Sequence, residues 1–255
     1  MRHARVLGYA GFVAAFAVAA VAFAQSTVTP VAPDAQVETK PLVEAKPVWG
    51  DAKKGATLAG TCAACHGLDG NPTDAQYPRL AGMPERYVSH QLALFKSGER
   101  NTGMAAVMKP FADALSAQDM RDLGAYFATQ KAGAGVADDT KIATGPNTGL
   151  KFYEIGERLF RQGDVARGIP ACMACHGPAG GGNPGPAYPA IAGQQAAYAQ
   201  RRLEEYRTGT TTAKDAHLFN IMAAVAKPLT DEEIQSLASY VQGLHHRSDE
   251  VAAQE

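Results

Sequence analysis

Apolar residues fall at helical intervals in several stretches of this chain, and no stretch alternates convincingly as a strand would. Tyr87, Val88, Leu92 and Phe95 share one face of a segment that opens near Pro84, a residue suited to a first turn, and stops at Gly98. Met120, Leu123 and Phe127 form a second apolar stripe, and Ile234, Leu237, Val241 and Leu244 a third. The helices that carry these two stripes open with Ser116-Ala117-Gln118-Asp119 and Thr230-Asp231-Glu232-Glu233. Both have the form of a capping box, the first with the shorter acid. The pattern predicts an all-α fold.

The same elements occur twice. Tyr77-Pro78-Arg79-Leu80-Ala81-Gly82 returns as Tyr188-Pro189-Ala190-Ile191-Ala192-Gly193, at an offset of 111. At that offset Tyr87 maps to Tyr198, Leu92 to Leu203, Phe95 to Tyr206 and Gly98 to Gly209. Near-constant spacing over so many positions indicates duplication. Each half is roughly a hundred residues, a normal size for a small domain. Each reads as helix, loop, helix, Met-bearing loop, helix. The expected domains are 49–132 and 149–247. The expected linker is 133–148, inside a stretch from Lys131 to Thr148 rich in Gly, Ala, Asp and Thr.

The chain has four cysteines, and all lie in two pentads, Cys62-Ala63-Ala64-Cys65-His66 and Cys172-Met173-Ala174-Cys175-His176. Cys-x-x-Cys-His is the attachment signature of c-type haem. Thiols three positions apart can form thioethers to the two vinyl groups of one porphyrin, and the next His then sits beneath the iron as its proximal ligand. A four-cysteine zinc site or a redox dithiol leaves unexplained why His follows each pair. Two covalent haem c groups, one per half, are therefore expected, with His66 and His176 as axial ligands.

The sixth ligands follow from comparing the halves. Outside its pentad the second half offers only Met222, eight positions before the cap Thr230. Met108 stands eight positions before the cap Ser116, whereas Met104 stands twelve before it. Met83 adjoins the start of the middle helix, and Met120 falls on a core stripe. Met108 and Met222 are the expected ligands, with Met104 the alternative in the first half. His90 and His217 have no counterpart in the other half and read as surface or loop residues. His/Met ligation fills both axial positions and favours reduced iron.

This organisation resembles class I cytochrome c domains, and the tandem form resembles the cytochrome c4 family, over roughly residues 50–245. The resemblance rests on the paired pentads, the paired Tyr-Pro-x-x-Ala-Gly segments and the late Met of each half. It implies two small helical domains, each built around one haem. It also implies that the carbonyls of Pro78 and Pro189 accept a hydrogen bond from the proximal His ring, which fixes the tautomer. Arg79, after Pro78, is placed to pair with a haem propionate or to remain solvated. Its repeat equivalent, Ala190, can do neither.

The ends of the chain speak to location. Arg2, His3 and Arg5 precede an uncharged, mostly apolar run from Val6 to Ala24, which ends in the small-x-small site Ala22-Phe23-Ala24. This is the layout of a secretory signal peptide, 1–24; left uncleaved, it would serve as a membrane anchor. Residues 25–48, with prolines at 30, 33, 41 and 47, read as a flexible, extended leader. Without 1–24, 22 basic residues face 25 acidic ones, a net charge of about −3 that argues against nucleic acid as a partner. The address expected for such motifs is the periplasm. The family resemblance implies an electron carrier, not an enzyme, running between a quinol-oxidising membrane complex and a terminal oxidase. The alternatives are a dihaem peroxidase, a thiosulfate dehydrogenase-like oxidoreductase, or a tethered subunit of an oxidase complex.

Overall fold

The structure, a computed structural model, describes residues 48–209, 211–213 and 216–245. The expected signal peptide and all but the last residue of the expected leader lie outside the described residues. The first half comprises α1 (Ala52–Leu58), a single turn α2 (Ala63–His66), α3 (Glu85–Ser97), α4 (Ala105–Asp113) and α5 (Ala117–Ala128). The second repeats the order with α6 (Phe152–Gln162), the single turn α7 (Met173–His176), α8 (Ala196–Thr208), α9 (His217–Ala226) and α10 (Asp231–Gly243). Strand pairing among the described residues is confined to three isolated antiparallel bridges. The fold is all-α.

The frame of each half is a close crossing of its first and last helices. A Cβ on Gly55 of α1 would lie 1.9 Å from the Asp122 carbonyl oxygen of α5. In the second half, a Cβ on Gly156 of α6 would lie 2.1 Å from the Ser236 carbonyl oxygen of α10. Glycine inside a helix costs about 1 kcal/mol relative to alanine. Here its missing side chain is what lets two backbones touch. Val88, Leu92, Phe95, Met120, Leu123 and Phe127 then fill the first core. Ile155, Leu159, Phe160, Ile234, Leu237 and Val241 fill the second.

Helix ends are set locally. Ser116 Oγ accepts from the Asp119 amide at 3.1 Å while Asp119 Oδ2 accepts from the Ser116 amide at 2.8 Å. Thr230 and Glu233 make the same reciprocal pair at 3.2 and 2.9 Å. Gly98 and Gly209 end α3 and α8 in the left-handed region, at φ 76° and 69°, where glycine bears no steric penalty.

Three local expectations change. Pro84 caps α3 from outside, at ψ 136°, and does not occupy its first turn. The Met-bearing loops are short helices, α4 and α9. Runs such as Ala105-Ala106-Val107-Met108 and Ile221-Met222-Ala223-Ala224 hold no glycine to break a turn, and α4 tolerates Pro110 near its end. The stretch expected as a linker is an ordered strap on the second half. The Gly135 amide donates to the Gln242 carbonyl at 2.9 Å, the Asp138 amide to Ser239 Oγ at 2.8 Å, and Ile142 enters the second core.

Candidate haem sites

Each pentad closes into one helical turn. The His66 amide donates to the Cys62 carbonyl and the His176 amide to the Cys172 carbonyl, both at 3.0 Å. Residues i and i+3 of a turn share a face, so both thiols of a pair point into the same cleft. Gly67 and Gly177, at φ 74° and 83°, end the turns immediately after each His. None of the four cysteines forms a disulfide. Burial raises the Cys62 thiol pKa, with Cys65 adding to it, and pushes Cys172 up to about 11. In the haem-free chain both are protonated thiols.

Both imidazoles are buried. His66 Nδ1 lies 2.9 Å from the Pro78 carbonyl oxygen, and His176 Nδ1 lies 2.9 Å from that of Pro189. A carbonyl can only accept, so Nδ1 carries the proton and Nε2 keeps its lone pair for a metal. Burial lowers both histidine pKa values, against the opposing pull of the proline carbonyls, and so favours the neutral, ligating form.

Two largely apolar clefts hold these groups. The first, about 1160 Å³ with the open solvent at its mouth included, is walled by Cys62, Cys65, His66, Pro78, Met104 and Met108. The second, about 1710 Å³ on the same terms, is walled by Cys172, Cys175, His176, Pro189 and Met222. A thiol pair, a neutral imidazole and a thioether lining one apolar cleft are the donor set that haem c requires. Among the described residues no three His, Cys, Asp or Glu side chains cluster around a cation position, so a four-cysteine zinc site is not assembled.

The remaining sequence candidates fall in different places. Met120 is buried in the first core, whereas Met83 reaches both clefts. His90, set aside on sequence grounds, lies on the wall of the second cleft. Arg79 is on the wall of neither. Its backbone is clasped by Gln194 of the other half, and its guanidinium runs toward the Gly133 strap, with Nε and Nη1 buried without a protein partner.

Nothing in the residue pattern foretells that each half walls the other's cleft. Tyr198, Arg201 and Glu205 of α8 reach the first cleft, and Tyr87, Gln91 and Arg100 of the first half reach the second. Arg100 maps onto Thr211 at the repeat offset, so internal symmetry could not flag it.

The family model for cytochrome c matches two stretches, residues 52–131 and 153–245, more than half of the chain. Cytochrome c4 of Pseudomonas aeruginosa is 40% identical over 196 residues, 77% of this chain and 90% of that protein. The chain belongs to the cytochrome c4 family. The crystal structure of reduced cytochrome c4 from Pseudomonas stutzeri superposes with a TM-score of 0.67 at 39% identity, covering 77% of this chain and all of that one. A thiosulfate dehydrogenase electron acceptor of Thiomonas intermedia is 40% identical over 185 residues, 72% of this chain and 78% of that protein. The chain therefore carries two covalent haem c groups, one in each tandem cytochrome c region, and is an electron-transfer protein.

Proposed function

We propose that this protein shuttles single electrons in the periplasm, from a quinol-oxidising membrane complex to a terminal oxidase. The observation that carries the reading is the pairing, in each cleft, of a buried imidazole protonated at Nδ1 with a methionine that lines the same cleft. His66 with Met108, and His176 with Met222, are the axial pairs. Cys62 and Cys65, then Cys172 and Cys175, are the thioether anchors. Pro78 and Pro189 orient the imidazoles.

Haem iron, once bound, supplies a one-electron couple. His66 with Met108, and His176 with Met222, would hold the iron, while the apolar walls exclude water and the proline carbonyls hold each imidazole in one tautomer. No coordination position is left for a substrate, which disfavours peroxidase or thiosulfate-oxidising turnover. The four cysteines are committed in pairs to the clefts, leaving none for a thiolate ligand to iron. Among the described residues no helix is long and apolar enough to cross a membrane. Anchoring would rest on an uncleaved segment 1–24, and the periplasmic address on its cleavage.

Likeness to a thiosulfate dehydrogenase electron acceptor supports a second reading of the donor: a periplasmic thiosulfate-oxidising enzyme in place of the quinol-oxidising complex. Stopped-flow reduction of the holoprotein by each donor separates the two, since the true donor should reduce both haems at the faster rate. Peroxide and thiosulfate added to the cytochrome alone should produce no turnover. Steady turnover with either would replace the carrier reading by an enzymatic one.

A further inference from the structure

Few charged side chains reach the two clefts. Among the described residues, and histidines aside, the cations on their walls are Arg100 and Arg201 in the first cleft, and Arg100 and Arg202 in the second. Arg100 is thus the arginine common to both. It stands in the partition between the clefts with Tyr87 and Tyr198, which also face both sides.

The partners of Arg100 are neutral. Nη1 donates to Gln91 Oε1 at 2.7 Å and Nη2 to Tyr198 Oη at 3.3 Å, while the guanidinium carbon lies 4.5 Å from the centre of the Phe95 ring. Nε is buried without a partner. A guanidinium stays charged at any ordinary pH, and this half-buried one has only neutral hydrogen-bond partners, so an anion placed in either cleft would meet it in a charge-assisted bond. Arg202 differs. It is 8% exposed and already pairs with Glu205, and it faces the second cleft alone. Arg201 faces the first alone, with Nη2 donating to the Gln76 carbonyl at 3.2 Å.

Haem c brings carboxylates of its own, the propionates, into clefts whose described walls carry one acid each, Glu205 in the first and Glu99 in the second. We propose that Arg100 is the shared counter-cation of both haems, holding a propionate of each and tuning both one-electron couples through a single side chain. The proposal rests on the dihaem carrier reading above. It makes Arg100 a positioning residue whose charge stabilises the reduced form at both sites. Arg201 and Arg202 each act on one haem only.

The test is a spectroelectrochemical titration of the full-length holoprotein and its variants, resolving the two haem potentials. Arg100→Gln should make both reductions less favourable, each by roughly tenfold in equilibrium constant, about 59 mV for a one-electron couple. Arg202→Gln should move only the second haem and Arg201→Gln only the first. Arg100→Lys, which keeps the charge, should leave both within about threefold of the parent. If Arg100→Gln fails to take up both haems, Arg100→Met, which keeps an apolar stem against Phe95, carries the same expectation. A neutral variant with both haems intact and only one potential moved, or neither, overturns the proposal. The axial ligand reading fails separately, in the absorption spectrum of the parent protein. Lost methionine bands there, with both potentials still shifted together in the variant, would leave the Arg100 role standing.

Discussion

Gln194 holds Arg79 by both of its main-chain polar groups. The Arg79 amide donates to Gln194 Oε1 at 2.8 Å, and Gln194 Nε2 donates to the Arg79 carbonyl at 3.1 Å. Both residues are buried, and they lie in opposite halves of the repeat. A side-chain amide here imitates one rung of a sheet and ties the segment that orients His66 to the second half. Gln194→Leu leaves a buried amide and a buried carbonyl unpaired, at about 1–3 kcal/mol for each group. Chemical denaturation should show a loss of at least ~2 kcal/mol. Because the clasp crosses between the halves, two unfolding transitions should separate in the variant where the parent shows one.

Gly156→Ala tests the helix crossing of the second half. Helix propensity alone favours alanine by about 1 kcal/mol. The added carbon would lie 2.1 Å from the Ser236 carbonyl oxygen and 2.7 Å from Tyr240 Cβ, so α6 and α10 must part. Overpacking of this kind costs about 1–3 kcal/mol, and the clash should win, lowering the melting temperature by several degrees. Gly60→Ala meets nothing within 4 Å and should be close to neutral. Equal melting points for the two variants would mean the crossing does not depend on its glycine.

Much of this architecture is legible in the sequence because it is local. The pentads, the boxes at Ser116 and Thr230, the stops at Gly98 and Gly209 and the apolar stripes each depend on residues within a turn or two of one another. The duplication adds more, since a feature found twice at one offset excludes chance. What escapes is what depends on the two halves meeting. Nothing near Arg79 in sequence announces that Gln194, 115 positions away, clasps its backbone. Arg100 looks like a residue after a helix stop until α8 comes to face it. Residues 133–142 look like a linker because Gly and Ala suit one. The same small residues also suit a strap that must lie close against Ser239 and Gln242.

Glu233 links the cap of α10 to Arg167, which also binds Asp164. Burial opposes ionisation of Glu233, but hydrogen bonds from Arg167 and the Thr230 amide outweigh it and hold the carboxyl below its ordinary value. Asp164 is lowered by the same guanidinium. A carboxyl whose folded pKa is depressed adds stability above its unfolded pKa, about 4.3 for Glu, and loses it as pH falls through the folded value. Glu233→Gln keeps the box geometry and removes the charge. It should cost about 1–2 kcal/mol at pH 7, and the gap to the parent should close as unfolding is measured toward pH 3. A gap independent of pH would show that the charge contributes nothing.

Met104 and Met108 reach the same cleft, so lining alone does not choose between them. The choice rests on symmetry. Met108 and Met222 each stand eight residues before a capping-box residue, and each lies within the short helix, α4 or α9, that precedes the last helix of its half. Met104 is the residue that caps α4, outside its first turn. A ligand drawn from the same distance before the last helix's cap in both halves lets one repeated scaffold present sulfur to both irons. Met104 would need a different backbone path in the first half alone. Met108→Ala should therefore abolish the methionine–iron charge-transfer band of the first haem and lower its reduction equilibrium by more than tenfold, beyond about 59 mV. Met222→Ala should do the same to the second haem. Met104→Ala should leave both bands in place, and loss of the first band in that variant would transfer the ligand role from Met108 to Met104.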